Sequence, residues 1–153
     1  MKTVKLSTAL KIKNRLAGEL VRLNTILARS NSTDRTRPPQ HDLQSIWDKI
    51  AETSGKLAEV KSAITVANIG IYPRLAKMEE IKSSIAFLGS LDTKEGVYRE
   101  SEGFRGNVIE RTYDAFLTQK EVDSLTSELQ KLIDDLQDEV DEYNHSHLVD
   151  LPI

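Results

Sequence analysis

Arg74 stands directly after Pro73 in the stretch NIGIYPRL, residues 68–75. The Gly70–Pro73 spacing marks this stretch as a turn between two helices, so Arg74 falls in the first turn of the second. The helix dipole disfavours a cation there by a few tenths of a kcal/mol unless an acid or a bound anion sits opposite. Free backbone N–H groups at a helix N-terminus already form an anion site, and an added guanidinium would strengthen it. Downstream, VYRESEGFRGN (97–107) and ERTYDAF (110–116) supply Tyr98, Arg99, Phe104, Arg105, Arg111 and Tyr113. Arginines alternating with aromatic residues are what a nucleotide-like ligand requires, forks for phosphate and rings for a base. With Tyr72 beside the turn, the candidate ligand-binding set is Tyr72, Arg74, Tyr98, Arg99, Arg105, Arg111 and Tyr113. These groups converge if the segment from Tyr98 to Tyr113 folds against the turn, within one chain or across a subunit interface. Ordinary ion pairs are the competing reading. Glu79, Glu80, Glu100, Glu102, Glu110 and Asp114 are near in sequence, and Glu79 or Glu80 lies about one helical turn from Arg74.

Other chemistries find less support. The chain has no cysteine, which removes thiolate nucleophiles, thiolate zinc sites and disulfides. No G-x-S-x-G elbow or glycine-rich phosphate loop is present. His145 and His147 flank Ser146 near Asp141, Glu142 and Asp150, but at a helix end i and i+2 side chains point apart and cannot share a metal. A frayed polar terminus explains them better, and His41 sits in a polar loop. DDLQDEVDE (134–142) reads as a solvated face. The expectation is therefore no enzyme, no catalytic residue, no metal and no cofactor.

Charge is unevenly distributed. Residues 1–37 carry nine Lys/Arg against two acids, and residues 118–153 carry two Lys against ten acids. Lys11, Arg15, Arg22 and Arg29 form a stripe away from the leucine seam of the first helix, and such a stripe could follow phosphates. The overall net charge of −3, the lack of aromatics among these cations and the acidic last helix argue against nucleic acid. The basic and acidic ends can instead neutralise one another within a chain or between subunits.

The elements that must position these residues are mostly helical. Charged residues make up 29% of the chain and aromatics 5%, a balance that suits long one-sided helices. Leu16, Leu20, Leu23 and Leu27 recur at four–three–four spacing on a first helix, about residues 6–30, which ends before Pro38 and Pro39. Leu43, Ile46, Ile50, Thr53, Leu57, Val60, Ile64 and Ala67 repeat by three and four on a second, about 42–69, with Asp42 as its N-cap. Gly70 supplies a positive φ at its end. Leu75, Met78, Ile81, Ile85 and Leu88 mark a third, about 73–89. Thr118 and Glu121 form a capping box for a fourth, about 118–144, with Val122, Leu125, Leu129, Leu132, Leu136 and Val140 on one seam. Residues 90–117 read as an irregular or β-hairpin insertion, with strand character from Tyr98 to Phe116. The tail NHSHLVDLPI packs back on a neighbour. The fold class is mainly α: one domain, an elongated antiparallel bundle of four long helices with coiled-coil-like seams. A 25-residue helix spans about 37 Å, and so long a body closes its core by self-association. The first residues lack a secretory apolar block, and no run of about 18 apolar residues exists to span a membrane. A cytoplasmic protein is expected.

LSTALKIKNRLAGEL, ITVANIGIYPRL, VIERTYDAF and LQKLIDDLQDEVDEYN resemble, in this order and over most of the chain, the septicolysin-like small bacterial helical proteins, some known only as proteins of unknown function. The resemblance implies the same helical architecture and, by the family's name, a cytolysin. It supplies no catalytic residues. The sequence leads to a self-associating, non-enzymatic binding protein that captures a small anionic, nucleotide-like ligand between subunits. A structural or adaptor coiled-coil protein contacting another protein is the alternative, and a cytolysin the third.

Overall fold

The computed structural model describes residues 1–103 and 106–153; the candidate residues Phe104 and Arg105 lie outside them. The protein is mainly helical. Its elements are β1 (Lys2–Lys5), α1 (Leu6–Ser30), α2 (Leu43–Asn68), α3 (Tyr72–Gly89), β2 (Gly96–Glu102), β3 (Asn107–Tyr113), α4 (Gln119–Ser146) and β4 (Leu148–Leu151). They form two compact units, residues 1–72 with 140–153, and residues 73–139.

In the first unit α1 and α2 pack antiparallel. Leu6, Ala9 and Leu16 meet Leu57, Val60, Ile64 and Ala67 in one cluster, and Leu23 meets Ile46 and Ile50 in another. The α2 repeat buries Ile46, Ile50, Thr53, Leu57, Val60, Ile64 and Ala67, the residues its three–four spacing selects apart from Leu43, which is half-buried. Asp42 caps α2, its side chain accepting from the backbone N–H groups of Gln44 (3.1 Å) and Ser45 (3.4 Å). Such a cap contributes about 1 kcal/mol.

The tail packs back on its neighbours as expected, and it does so as a strand. Leu148–Leu151 forms β4, antiparallel to β1, with Val4 opposite Val149 and Lys2 opposite Leu151. Its alternation is that of a half-buried strand: Val149 and Leu151 enter the α1–α2 cluster while Leu148 and Asp150 face outward. Thr3 Oγ1 donates to Asp150 Oδ1 at 2.5 Å, and the Leu6 N–H donates to the His147 carbonyl at 2.8 Å. The polar terminus is not frayed, because the strand pair satisfies its backbone groups.

Gly70 also plays a part other than the expected one. The positive-φ glycines are Gly96, Gly103 and Gly106, and Gly70 is not among them. It is required for close approach: a Cβ there would stand 2.7 Å from Tyr143 Oη, which donates to the Ala67 carbonyl at 2.8 Å. The phenol is further held by stacking on His147, with ring centroids 4.7 Å apart. Gly70→Ala is therefore expected to destabilise by about 1 kcal/mol, the worth of the hydrogen bond it breaks. In a Tyr143→Phe background the same change becomes neutral or stabilising by about 0.4–1 kcal/mol, because alanine restricts the unfolded chain. Thermal melts of the four proteins in this cycle check the reversal of sign.

In the second unit Met78, Ile81 and Leu88 of α3 and Val122 and Ile133 of α4 are buried. Ile133 takes the inward position that the leucine spacing gave to Leu132. The α3 and α4 segments run antiparallel, with Arg74 near the start of α3 paired to Glu139 near the end of α4. At the other end, Thr93 Oγ1 donates to Gln119 Oε1 at 2.7 Å. The Thr118–Glu121 capping box forms: the Thr118 N–H donates to Glu121 Oε2 (2.8 Å) and the Glu121 N–H to Thr118 Oγ1 (3.3 Å). The neck after α3 and before α4 carries the hairpin β2–β3.

Candidate ligand-binding site on the hairpin

The hairpin turns where Gly103 and Gly106 take φ of 81° and 66°, a conformation side chains rarely adopt. Its register sets Tyr98 opposite Arg111, Gly96 opposite Tyr113 and Glu100 opposite Ile109. Residues directly opposite share a face, so Tyr98, Glu100, Arg111 and Tyr113 lie together on one side. Gly96 presents no side chain beside Tyr113, and the diagonal Tyr98 ring meets the Tyr113 ring edge-on, centroids 5.7 Å apart at 80°. Lys94, in the neck, places Nζ 5.6 Å from the Tyr98 centroid and 5.3 Å from that of Tyr113, within cation–π range.

Glu100 lies among these groups. Its Oε1 accepts from Tyr113 Oη at 2.5 Å and lies 4.0 Å from Lys94 Nζ, while Oε2 is 3.5 Å from Arg111 Nε. The hydrogen bond to this carboxylate, reinforced by desolvation and the carboxylate's charge, holds the Tyr113 phenol above its ordinary range; the Arg111 guanidinium pulls weakly the other way. The bond favours the protonated phenol. Its contribution to stability is thus complete below the ordinary tyrosine pKa and lost as pH rises through the raised one. Glu100→Gln is expected to return Tyr113 towards pH 10. Ultraviolet titration, with Tyr113→Phe identifying the phenol concerned, measures this.

An apolar groove is lined by residues that flank the hairpin in the chain. Phe87, Leu91, Asp92, Phe116 and Leu117 line about 320 Å³, and Phe116 is 95% exposed. Asp92 accepts from the Lys94 N–H at 3.0 Å, so the neck that forms one wall of the groove also sets Lys94 in place. Two rings, an ammonium and a guanidinium on one face could hold a planar group and an attached anion.

Of the residues singled out in the sequence, Tyr98, Arg111 and Tyr113 meet on this face. Arg99 is on the opposite face, its Nε 3.2 Å from Glu110 Oε1 directly across the strands. Arg74 pairs with Glu139, not with Glu79 or Glu80. Arg74 stands fifteen residues before the end of α3, about 22 Å along the helix, so within the chain it satisfies an acid of α4 and the hairpin leaves from the far end. Both side chains of that pair are half exposed, and such pairs contribute at most about 1 kcal/mol. Tyr72 belongs to the first unit and is exposed. Arg105 lies outside the described residues. His145 Nδ1 is 2.7 Å from the Asp141 carbonyl and His147 stacks on Tyr143, which gives both histidines local roles.

Lys94, Phe87 and Phe116 were missed in the sequence. Lys94 had a signal, since it precedes the positive-φ Gly96 at the strand entry. The exposure of Phe87 and Phe116 had none, because an apolar residue at a helix end or a strand end reads as core. The chain matches no protein-family model, no curated protein and no solved structure.

Proposed function

We propose that this protein is a self-associating, non-enzymatic binding protein that captures a small anionic, nucleotide-like ligand in the cytoplasm without transforming it. The observation that carries the reading is the hairpin face on which Tyr98, Tyr113, Lys94 and Arg111 converge. Rings and cations in contact suit a base and its phosphate. Self-association is supported by large apolar side chains left exposed in each unit: Val21, Val66 and Ile69 in the first, Phe87, Phe116 and Leu132 in the second. Exposed apolar surface of this kind is what subunit contacts cover. On this reading the helices complete a bundle with coiled-coil seams between copies, and the ligand lies between subunits. Native mass spectrometry of the purified protein, followed by denaturing extraction, tests it. A discrete oligomer carrying a stoichiometric small mass, lost in Arg111→Ala, is the expected result; a monomer with nothing bound would sink it.

A second reading, an adaptor whose helices meet another protein, is favoured by Leu125 and Leu132. They are exposed and seven residues apart on α4, the spacing of a coiled-coil seam. An adaptor would tolerate truncation of the hairpin and lose function when that seam is made polar. The cytolysin implied by the septicolysin-like resemblance is the third; no described helix is long and apolar enough to cross a membrane.

A further inference from the structure

We propose that the Glu100 carboxylate is an internal occupant of the anion site, displaced when a ligand binds, and that it thereby selects ligands bringing two negative charges beside an aromatic ring. This rests on the nucleotide-like reading of the hairpin face. Donors from two segments turn towards one carboxylate, Lys94 from the neck and Arg111 and Tyr113 from β3. An ammonium, a guanidinium and a phenol are also the donors a phosphate would use. The carboxylate fits them unequally. It is at hydrogen-bond distance from the phenol, but its 3.5 Å and 4.0 Å separations from Arg111 Nε and Lys94 Nζ exceed the 2.7–2.9 Å of strong charge-assisted bonds.

Glu100 can leave at little cost. Its side chain is about one-third exposed on a two-stranded hairpin whose strands pack on each other, so rotating it outward returns the carboxylate to water and empties no core. While in place it stabilises both cations, and it competes as a tethered group at an effective concentration on the order of millimolar or more. A monoanion offers no more charge than Glu100 already supplies. A phosphate monoester or a pyrophosphate carries close to two charges at neutral pH and presents more oxygens. Its attached ring adds contact with Tyr98 and Tyr113. The selected class is thus a ring-bearing phosphate monoester or pyrophosphate. Neutral nucleosides and simple carboxylates are refused.

Isothermal calorimetry with adenosine 5′-monophosphate and with adenosine tests this on the full chain, comparing the wild type, Glu100→Gln and Glu100→Asp. The glutamine variant keeps the size and removes the competing charge; the aspartate keeps the charge but withdraws it by one methylene, and circular dichroism checks that both fold. The monophosphate is expected to bind about tenfold tighter to Glu100→Gln and several-fold tighter to Glu100→Asp than to wild type, with adenosine unchanged. Equal or weaker binding of the monophosphate by both variants, with measurable binding to wild type, overturns the role of Glu100 and leaves the site standing. Absence of binding to all three overturns the role and the site together.

Discussion

Val60→Asp should unfold the first unit. Val60 is 0% exposed and sits among Leu6, Ala9, Leu57, Ile64, Val149 and Leu151. An aspartate there has no described cation or donor in the cluster to pair with. An unpaired carboxylate in apolar surroundings costs several kcal/mol, or forces the group to stay protonated. Lost packing of the valine adds about 1 kcal/mol or more. Domains of this size are stable by only about 5–15 kcal/mol, so one substitution consumes most of that margin. Circular dichroism melts and amide exchange would show loss of protection in α1, α2 and the β1–β4 pair. Asn24→Asp, at an exposed position of α1 outside those apolar side chains, should shift stability by no more than about 0.5 kcal/mol. A Val60→Asp protein melting within a few degrees of wild type would mean that α1 and α2 do not enclose this residue.

The second large effect concerns binding. Removing both cations of the Tyr98–Tyr113 face, Lys94→Ala with Arg111→Ala, should weaken binding of adenosine 5′-monophosphate by about a hundredfold or more. Each charge-assisted hydrogen bond is worth about 1.5–3 kcal/mol, and tenfold in affinity is 1.4 kcal/mol. The double variant also leaves Glu100 without these counter-ions, so the carboxylate would repel a phosphate that the wild type attracts. The hairpin's backbone ladder remains, and far-ultraviolet dichroism should be unchanged. Retained affinity, measured by calorimetry at low ionic strength, would place the phosphate elsewhere. Arg99→Ala is the internal control: it lies on the opposite hairpin face, paired with Glu110, and should change affinity by less than about twofold.

The α2 repeat was legible because burial alone sets it, whereas on α4 the predicted seam residues Leu125 and Leu132 are exposed and Ile133 is buried. The α2 repeat from Ile46 to Ala67 names the buried residues one by one, and the caps at Asp42 and Thr118 form as their spacing implies. Where the sequence misled, the determining partner was far away along the chain. LVDL carries only four residues of alternation, too few to signal a strand, and its partner β1 lies nearly 150 positions earlier. Gly70 was read through local backbone preference, whereas Tyr143, on another helix, decides it. Arg74 was matched to acids one turn away, but α4 runs antiparallel to α3 and brings up Glu139. In the candidate site, residue types on the hairpin were readable and their sides were not. Register separates Arg99 from Arg111, and a shift of one residue would put both on the same face.

The strand pair that ties Lys2–Lys5 to Leu148–Leu151 has a consequence in time. A ribosome extrudes β1, α1 and α2 long before β4 exists, and all of residues 73–139 must emerge in between. Until then Leu6 and Ala9 lack the cover that Val149 and Leu151 later provide. The α1–α2 hairpin and β2–β3 close short loops and can form as they appear, whereas joining β1 to β4 closes a loop of more than 140 residues and carries the larger loop entropy. The nascent first unit therefore waits with an apolar patch open until residues 148–151 have emerged, the interval in which a chaperone would find it.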